Sequence, residues 1–178
     1  MLTKIAAGAI LLSVCSSALA ETVQYGYDAQ GRLLVTDVRR SNGTGYAAGY
    51  GYDKAGNRSV YQNARVVKAG GLAAGTGISV GESILSPGGK YRFILQYDGN
   101  LVLYDGPLQP LWATYTFQPA SAHLDMQGDG NLVLYAGPTV VWMSHTDGHP
   151  GSSFAVQDDG NIVIYTASGQ PIWARFGL

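Results

Sequence analysis

Apolar and polar residues alternate with a period of two in short runs along most of the chain. RFILQ at 92–96, NLVLY at 100–104 and again at 131–135, and NIVIY at 161–165 are bounded by Gly, Asp or Pro. Such runs mark half-buried strands, whose successive side chains point to opposite faces. Helical periodicity is hard to find after the first twenty residues, so the pattern predicts an all-β chain. The runs also recur as larger units. PGGKYRFILQYDGNLVLYDGPLQPLWATYT, QPASAHLDMQGDGNLVLYAGPTVVWMSHT and HPGSSFAVQDDGNIVIYTASGQPIWARF are each about 30 residues long and end near Trp112, Trp142 and Trp173. That period predicts three similar units sharing one core.

Each unit carries Asp-Gly between two alternating runs, a hairpin signal because Gly accepts the positive φ of the turn. Loop parity then assigns faces. With Asp98-Gly99-Asn100 as an odd-numbered loop, Tyr97 pairs with Leu101 and Gln96 with Val102. Gln96, Val102 and Tyr104 share one face, and Leu95, Leu101 and Leu103 the other. An even loop would place the Gln96 amide among the leucines, at roughly 1 to 3 kcal/mol if left unpaired. Odd parity predicts one polar pocket per hairpin above an apolar inner face.

Bulk properties narrow the setting. MLTK, the apolar IAAGAILLSV and the small residues SSALA before Glu21 read as a secretory signal peptide over residues 1–20. The expected mature protein is secreted or periplasmic, with no stable membrane insertion, since no later run is apolar for about 18 residues. Cys15, the only cysteine, falls in that leader, so a hydrophobic core must replace disulfides. Residues 21–70 hold seven basic and four acidic groups, and residues 71–178 three basic and eight acidic. No basic stripe points to nucleic acid as a partner of the larger part. A change of composition at KAGGLAAGTG, residues 68–77, reads as a linker between a segment at 21–67 and a domain at 72–178.

The repeated pockets carry the chemistry. The same five residue types stand at alternate positions three times: Gln96, Asp98, Asn100, Val102 and Tyr104; Gln127, Asp129, Asn131, Val133 and Tyr135; Gln157, Asp159, Asn161, Val163 and Tyr165. Two amides, a carboxylate and a phenol beside a small apolar residue suit a sugar, whose hydroxyls both donate and accept while its ring C–H groups need an apolar contact. Asp-Gly-Asn alone would serve as a turn, but turn chemistry explains neither the Gln nor the Tyr.

These stretches resemble the Gln-x-Asp-x-Asn-x-Val-x-Tyr motif of the bulb-type, monocot mannose-binding lectins, over about residues 72–178. The resemblance implies a β-prism II: three four-stranded antiparallel sheets in pseudo-threefold arrangement, tryptophans inside, one sugar site per sheet. It implies that Asp98 and Asn100 hold the axial 2-hydroxyl of mannose, Gln96 the 3-hydroxyl and Tyr104 the 4-hydroxyl, with Val102 on the ring carbons. The other two sets would act alike. Mannose-containing glycans or polysaccharide are the implied partners, with no cofactor and no catalysis. The C-terminal PIWARF is a candidate for strand exchange in a homodimer. A lectin-like bacteriocin that kills related bacteria after binding their surface polysaccharide is the alternative.

Other constellations are weaker. DMQGDGNLVLY sets Asp125, Gln127, Asp129 and Gly130 at calcium-loop spacing, but Ala136 stands where a bidentate Glu is needed. His123, His145 and His149 with Asp125 or Asp147 occur once each, with no nucleophile in a recognisable setting. In the smaller segment, YGYDAQGRLLVT and YGYDKAGNRSV resemble the YD repeats of bacterial Rhs-type proteins, in which Tyr-Asp-x-x-Gly marks turns. That segment is expected to be a small N-terminal β-hairpin, too short to bury its own core.

Overall fold

The structure is a computed structural model of the full chain. It describes residues 3–5, 9–16, 21–27, 30–40, 44–52, 54–106, 109–117 and 122–177. Contacts divide the chain into two units, Met1–Val66 and Val67–Leu178.

The first unit is an antiparallel meander. Its strands are β1 (Thr3–Ile5), β2 (Ala9–Ser16), β3 (Glu21–Tyr27), β4 (Leu33–Arg40), β5 (Gly45–Tyr52) and β6 (Arg58–Ala69), which runs past the division. The expected single hairpin is therefore a larger sheet. β2 lies within the expected leader and pairs with β3 along its length, because a short apolar run satisfies strand and leader patterns alike. Residues 17–20, where cleavage is expected, lie outside the described residues. The two YD stretches fall at the β3–β4 and β5–β6 turns, where Gly31 and Gly56 have φ of 76° and 84°; Asp28 and Asp53 are outside the described residues. The turns touch each other: the Tyr52 hydroxyl donates to Leu33 O at 2.8 Å and the Arg32 guanidinium lies 4.7 Å from the Tyr52 ring centroid.

The second unit begins with three short strands, β7 (Gly71–Leu72), β8 (Thr76–Ser79) and β9 (Glu82–Leu85). The first repeat follows as β10 (Tyr91–Leu95), β11 (Leu101–Asp105) and β12 (Gln109–Ala113). The second supplies β13 (Ala122–Met126), β14 (Leu132–Ala136) and β15 (Thr139–Met143), and the third β16 (Ser153–Val156), β17 (Ile162–Tyr165) and β18 (Pro171–Ala174). Each repeat is a three-stranded antiparallel meander completed by one strand of the run-in. The orders within the unit are β9-β10-β11-β12, β8-β13-β14-β15 and β7-β16-β17-β18.

Residues 68–77 are thus not a linker, since β7 and the start of β8 lie in them. Two of their four glycines, Gly71 and Gly77, are there for close approach. A Cβ on Gly71 would collide with the carbonyl oxygen of Phe154, and one on Gly77 with that of Leu124. Gly-rich composition here reports backbone contact between strands.

Alternation drives the interior. Leu95, Leu101, Leu103, Leu124, Met126, Leu134, Ile162 and Ile164 are fully buried, each worth about 1.5 to 3 kcal/mol relative to exposure. The three tryptophans pack against this core and against one another edge to face, with centroid separations of 5.8, 6.0 and 6.2 Å. One aromatic from each sheet therefore closes the centre, a geometry that aromatic quadrupoles favour.

The hairpin turns differ by one residue from the expected register. Gln96 N–H donates to Asn100 O at 2.9 Å and Gly99 N–H to Gln96 O at 3.0 Å, so the loop is Tyr97-Asp98-Gly99. Leu95 pairs with Leu101 and Ile94 with Val102, replacing the expected Tyr97–Leu101 and Gln96–Val102 pairs. A three-residue loop with its last residue in the left-handed region, Gly99 at φ 80°, is a standard hairpin closure. The loop stays odd-numbered, so the assigned faces are unchanged.

Candidate functional site

Each pocket is built from one hairpin and the strand after it. The β-turn places Asp98 so that its Oδ1 accepts the Asn100 backbone N–H at 2.9 Å; Asp129 and Asn131 repeat this at 2.9 Å, Asp159 and Asn161 at 2.8 Å. One carboxylate oxygen holds the turn, leaving the other for a ligand. A register shift lies immediately before each motif tyrosine, at Leu103/Tyr104, Leu134/Tyr135 and Ile164/Tyr165. Such irregularities re-aim the following side chain.

That tyrosine meets the motif glutamine. Gln96 Nε2 donates to Tyr104 OH at 2.7 Å, Gln127 Nε2 to Tyr135 OH at 2.6 Å and Gln157 Nε2 to Tyr165 OH at 2.8 Å. Since the phenol oxygen accepts, its own proton remains to be donated. Burial pushes the Tyr104 phenol above its ordinary value, with the Gln96 hydrogen bond opposing, so Tyr104 is a neutral donor at physiological pH. Val102, Val133 and Val163 are 2 to 3% exposed and form each pocket's apolar floor. All fifteen motif residues are thus gathered into three like sets.

The asparagines are held by residues that the motif does not contain. In the first repeat the Thr114 hydroxyl reaches Asn100 Oδ1 at 3.2 Å and accepts the Leu101 N–H at 3.2 Å; it lies 2.8 Å from the Thr116 hydroxyl, which donates to Gly99 O at 3.1 Å. In the second, Ser144 and Thr146 take these places. Ser144 Oγ lies 3.0 Å from Asn131 Oδ1 and 2.7 Å from Thr146 Oγ1, Thr146 N–H donates to the same Oδ1 at 3.3 Å, and Thr146 Oγ1 donates to Gly130 O at 2.7 Å. With Oδ1 tied inward, Nδ2 is the donor end of each amide; in the second repeat one of its N–H groups goes to Met143 Sδ at 3.8 Å and the other is left to donate.

The middle residues of these clamps, Tyr115 and His145, both sit at φ 57°, a conformation that costs non-glycine residues roughly 1 to 3 kcal/mol. The third repeat lacks the clamp. Arg175, Phe176 and Gly177 stand in its place, and Asn161 Oδ1 accepts the N–H of Ile162 at 3.0 Å instead. Arg175 turns away, its Nη1 donating to Leu111 O at 2.9 Å.

The second pocket has further neighbours. His123 stacks on Tyr135 at 4.9 Å between centroids and 10° between planes, and its Nε2 lies 3.5 Å from Asp125 Oδ2. His149 Nδ1 lies 3.2 Å from Thr146 O, and His145 is exposed. Among the described residues no group of three or more His, Cys, Asp or Glu is placed to hold a metal ion.

Fold and site together define a β-prism lectin. Solved structures agree. A monomeric monocot mannose-binding lectin from Gastrodia elata is 41% identical, with 60% of this chain and 96% of that one covered, at a TM-score of 0.54. Polygonatum cyrtonema lectin, solved with monomannoside, is 35% identical over 60% of this chain and 94% of its own, at 0.50. A Marasmius oreades lectin is 28% identical over 62% and 92%, at 0.58. No protein-family model and no curated protein matches the sequence. The chain belongs to the monocot mannose-binding lectin family. Its general function is accordingly of the carbohydrate-binding, lectin type.

Proposed function

We propose that the protein is exported and attaches to mannose-bearing glycans through up to three Gln-x-Asp-x-Asn-x-Val-x-Tyr sites. The observation that carries this reading is the threefold repetition of one arrangement, a Gln-to-Tyr hydrogen bond of 2.6 to 2.8 Å beside an Asp-braced Asn. In each site the Asp carboxylate and Asn amide receive the axial 2-hydroxyl, Gln the 3-hydroxyl and Tyr the 4-hydroxyl, while Val meets the ring. An equatorial 2-hydroxyl, as in glucose, misses the first pair.

Four or five hydrogen bonds at about 1 kcal/mol net, less the cost of association, give roughly millimolar affinity per site. Linking sites on one rigid body raises apparent affinity for a clustered glycan by about 10² or more. Calorimetric titration with methyl α-mannoside and methyl α-glucoside tests the reading. The mannoside is expected to bind and the glucoside to bind at least about tenfold more weakly, the value of one lost hydrogen bond to a charged group; equal responses, or none, overturn it. The triple variant N100A/N131A/N161A is expected to lose binding while keeping the near-ultraviolet signal of its packed tryptophans.

A further inference from the structure

The second pocket opens into a groove whose polar residues have other residue types at the corresponding places of the other two repeats. A concavity of about 650 Å³ between β8 and β13 is lined by Gly77, Ser79, Val80, Ala122, His123 and Asp125. A second, of about 510 Å³, is lined by Gly75, Asp125 and the turn that carries Gln127 and Asp129. Asp125 is the wall common to both, so the groove continues the pocket. His123 joins them a second time, since it reaches across to Asp125 and stacks on Tyr135, the far end of the pocket.

Strand register puts these groups together. Asp125 pairs with Val133 on one side and Gly77 on the other, and His123 with Tyr135 and Ser79. All six positions share the sheet face that carries the pocket. Gly77 is required there, because a Cβ on it would meet Asp125 Oδ1 as well as the Leu124 carbonyl. The side chains of His123 and Asp125 are 39% and 44% exposed, open to a ligand yet tied to each other. At the corresponding places the first repeat has Arg92 and Ile94 and the third Ser153 and Ala155.

We propose that this groove is a subsite for a second sugar unit of the glycan whose terminal mannose occupies the second pocket. The carboxylate of Asp125 accepts from hydroxyls, the His123 imidazole donates or accepts, the Ser79 hydroxyl does either, and the half-buried Val80 offers apolar contact to ring carbons. This is the donor, acceptor and apolar mixture of the pocket itself, extended by one unit. The second site is then a reader of disaccharide ends while the third reads single sugars. The proposal rests on reading the second pocket as a mannose site.

The test uses the full chain as N100A/N161A, in which only the second site remains, titrated with methyl α-mannoside and with methyl mannobiosides of 1→2, 1→3 and 1→6 linkage. At least one mannobioside is expected to bind about tenfold more tightly than the monosaccharide, the worth of one hydrogen bond to a charged group. In D125A the mannobiosides are expected to bind no more tightly than the mannoside binds to the same variant, and S79A, which touches the groove alone, is expected, with monosaccharide affinity unchanged, to weaken the advantage. H123F, which keeps the ring on Tyr135, is expected to reduce it. Mannobiosides no tighter than the mannoside, or an advantage that survives D125A, overturn the subsite and leave the pocket reading standing. Absence of any mannoside binding in the unsubstituted chain overturns the pocket reading itself, and the subsite with it. The near-ultraviolet tryptophan signal confirms folding of each variant.

Discussion

The second and third repeats carry the same five motif residues but differ in what stands behind the asparagine. Asn131 is 6% exposed, and its Oδ1 is gripped by Ser144 and Thr146. Asn161 is more open, and its Oδ1 folds back on the neighbouring N–H of Ile162, the amide whose counterpart in the second repeat is served by the Ser144 hydroxyl. In the third repeat the asparagine does the work of the missing hydroxyl. A sugar arriving there has to meet an amide anchored only locally, whereas the second site presents one whose orientation is already fixed. Motif identity is therefore a statement about which groups are present, and the clamp decides how well they are aimed.

The largest effect is expected from breaking the clamp where it exists. S144A/T146A leaves the Leu132 N–H, the Gly130 carbonyl and Asn131 Oδ1 without their side-chain partners. Unpaired buried groups cost about 1 to 3 kcal/mol each, so urea unfolding is expected to show a loss of about 2 to 4 kcal/mol. In the N100A/N161A background, mannoside affinity is expected to fall by about tenfold, an outcome calorimetry reads directly. Stability lost with affinity intact would reduce the clamp to a structural brace.

A smaller effect is expected from building part of the clamp where it is missing. R175T offers a hydroxyl to the Ile162 N–H and releases Asn161 Oδ1. Gly177 supplies no second hydroxyl, and the positive φ lies at Gly177 itself, 84°, rather than at Phe176. A gain of about threefold in N100A/N131A is expected, well short of one full hydrogen bond.

The smallest effect near neutrality concerns the tyrosine of the first site, which shares the clamp. Burial raises the Tyr104 phenol above its ordinary value of 10.0, so the neutral donor persists as pH climbs through 10. Mannoside affinity in N131A/N161A is expected to hold at pH 10 and to fall only above it. The stability contribution follows the same sign. It is complete below the unfolded value and declines from there as pH rises through the folded one.

Much of this was readable in advance. Five residue types at alternate positions, three times over, specified strand, turn and pocket face together, because the facing of side chains survives any shift that keeps the loop odd-numbered. The loop position itself was displaced by one residue, since Asp98-Gly99-Asn100 and Tyr97-Asp98-Gly99 are both odd-numbered and only backbone geometry separates them. The clamp was missed because its residues lie beyond the tryptophans, 13 to 15 positions from the asparagines they bond. Aligning WATYT and WMSHT against WARFG would have exposed it, and with it the odd third repeat. The run-in strands were missed for another reason. Gly71-Leu72 is too short for alternation to register, and its glycine imitates flexibility while serving tight pairing.

Those run-in strands also dictate a sequence of events in time. They are nested: β9 joins the first repeat, β8 the second and β7 the third, with Leu72 matched to Phe154. During synthesis β7 emerges before its sheet and waits longest, so the sheets are completed in the reverse of the order in which their first strands appear. Contacts of such long sequence separation are slow to form. A nascent chain stopped after the second repeat would hold Leu72 with no strand to receive it. The third sheet, the one with the least prepared pocket, is the latch by which the domain shuts.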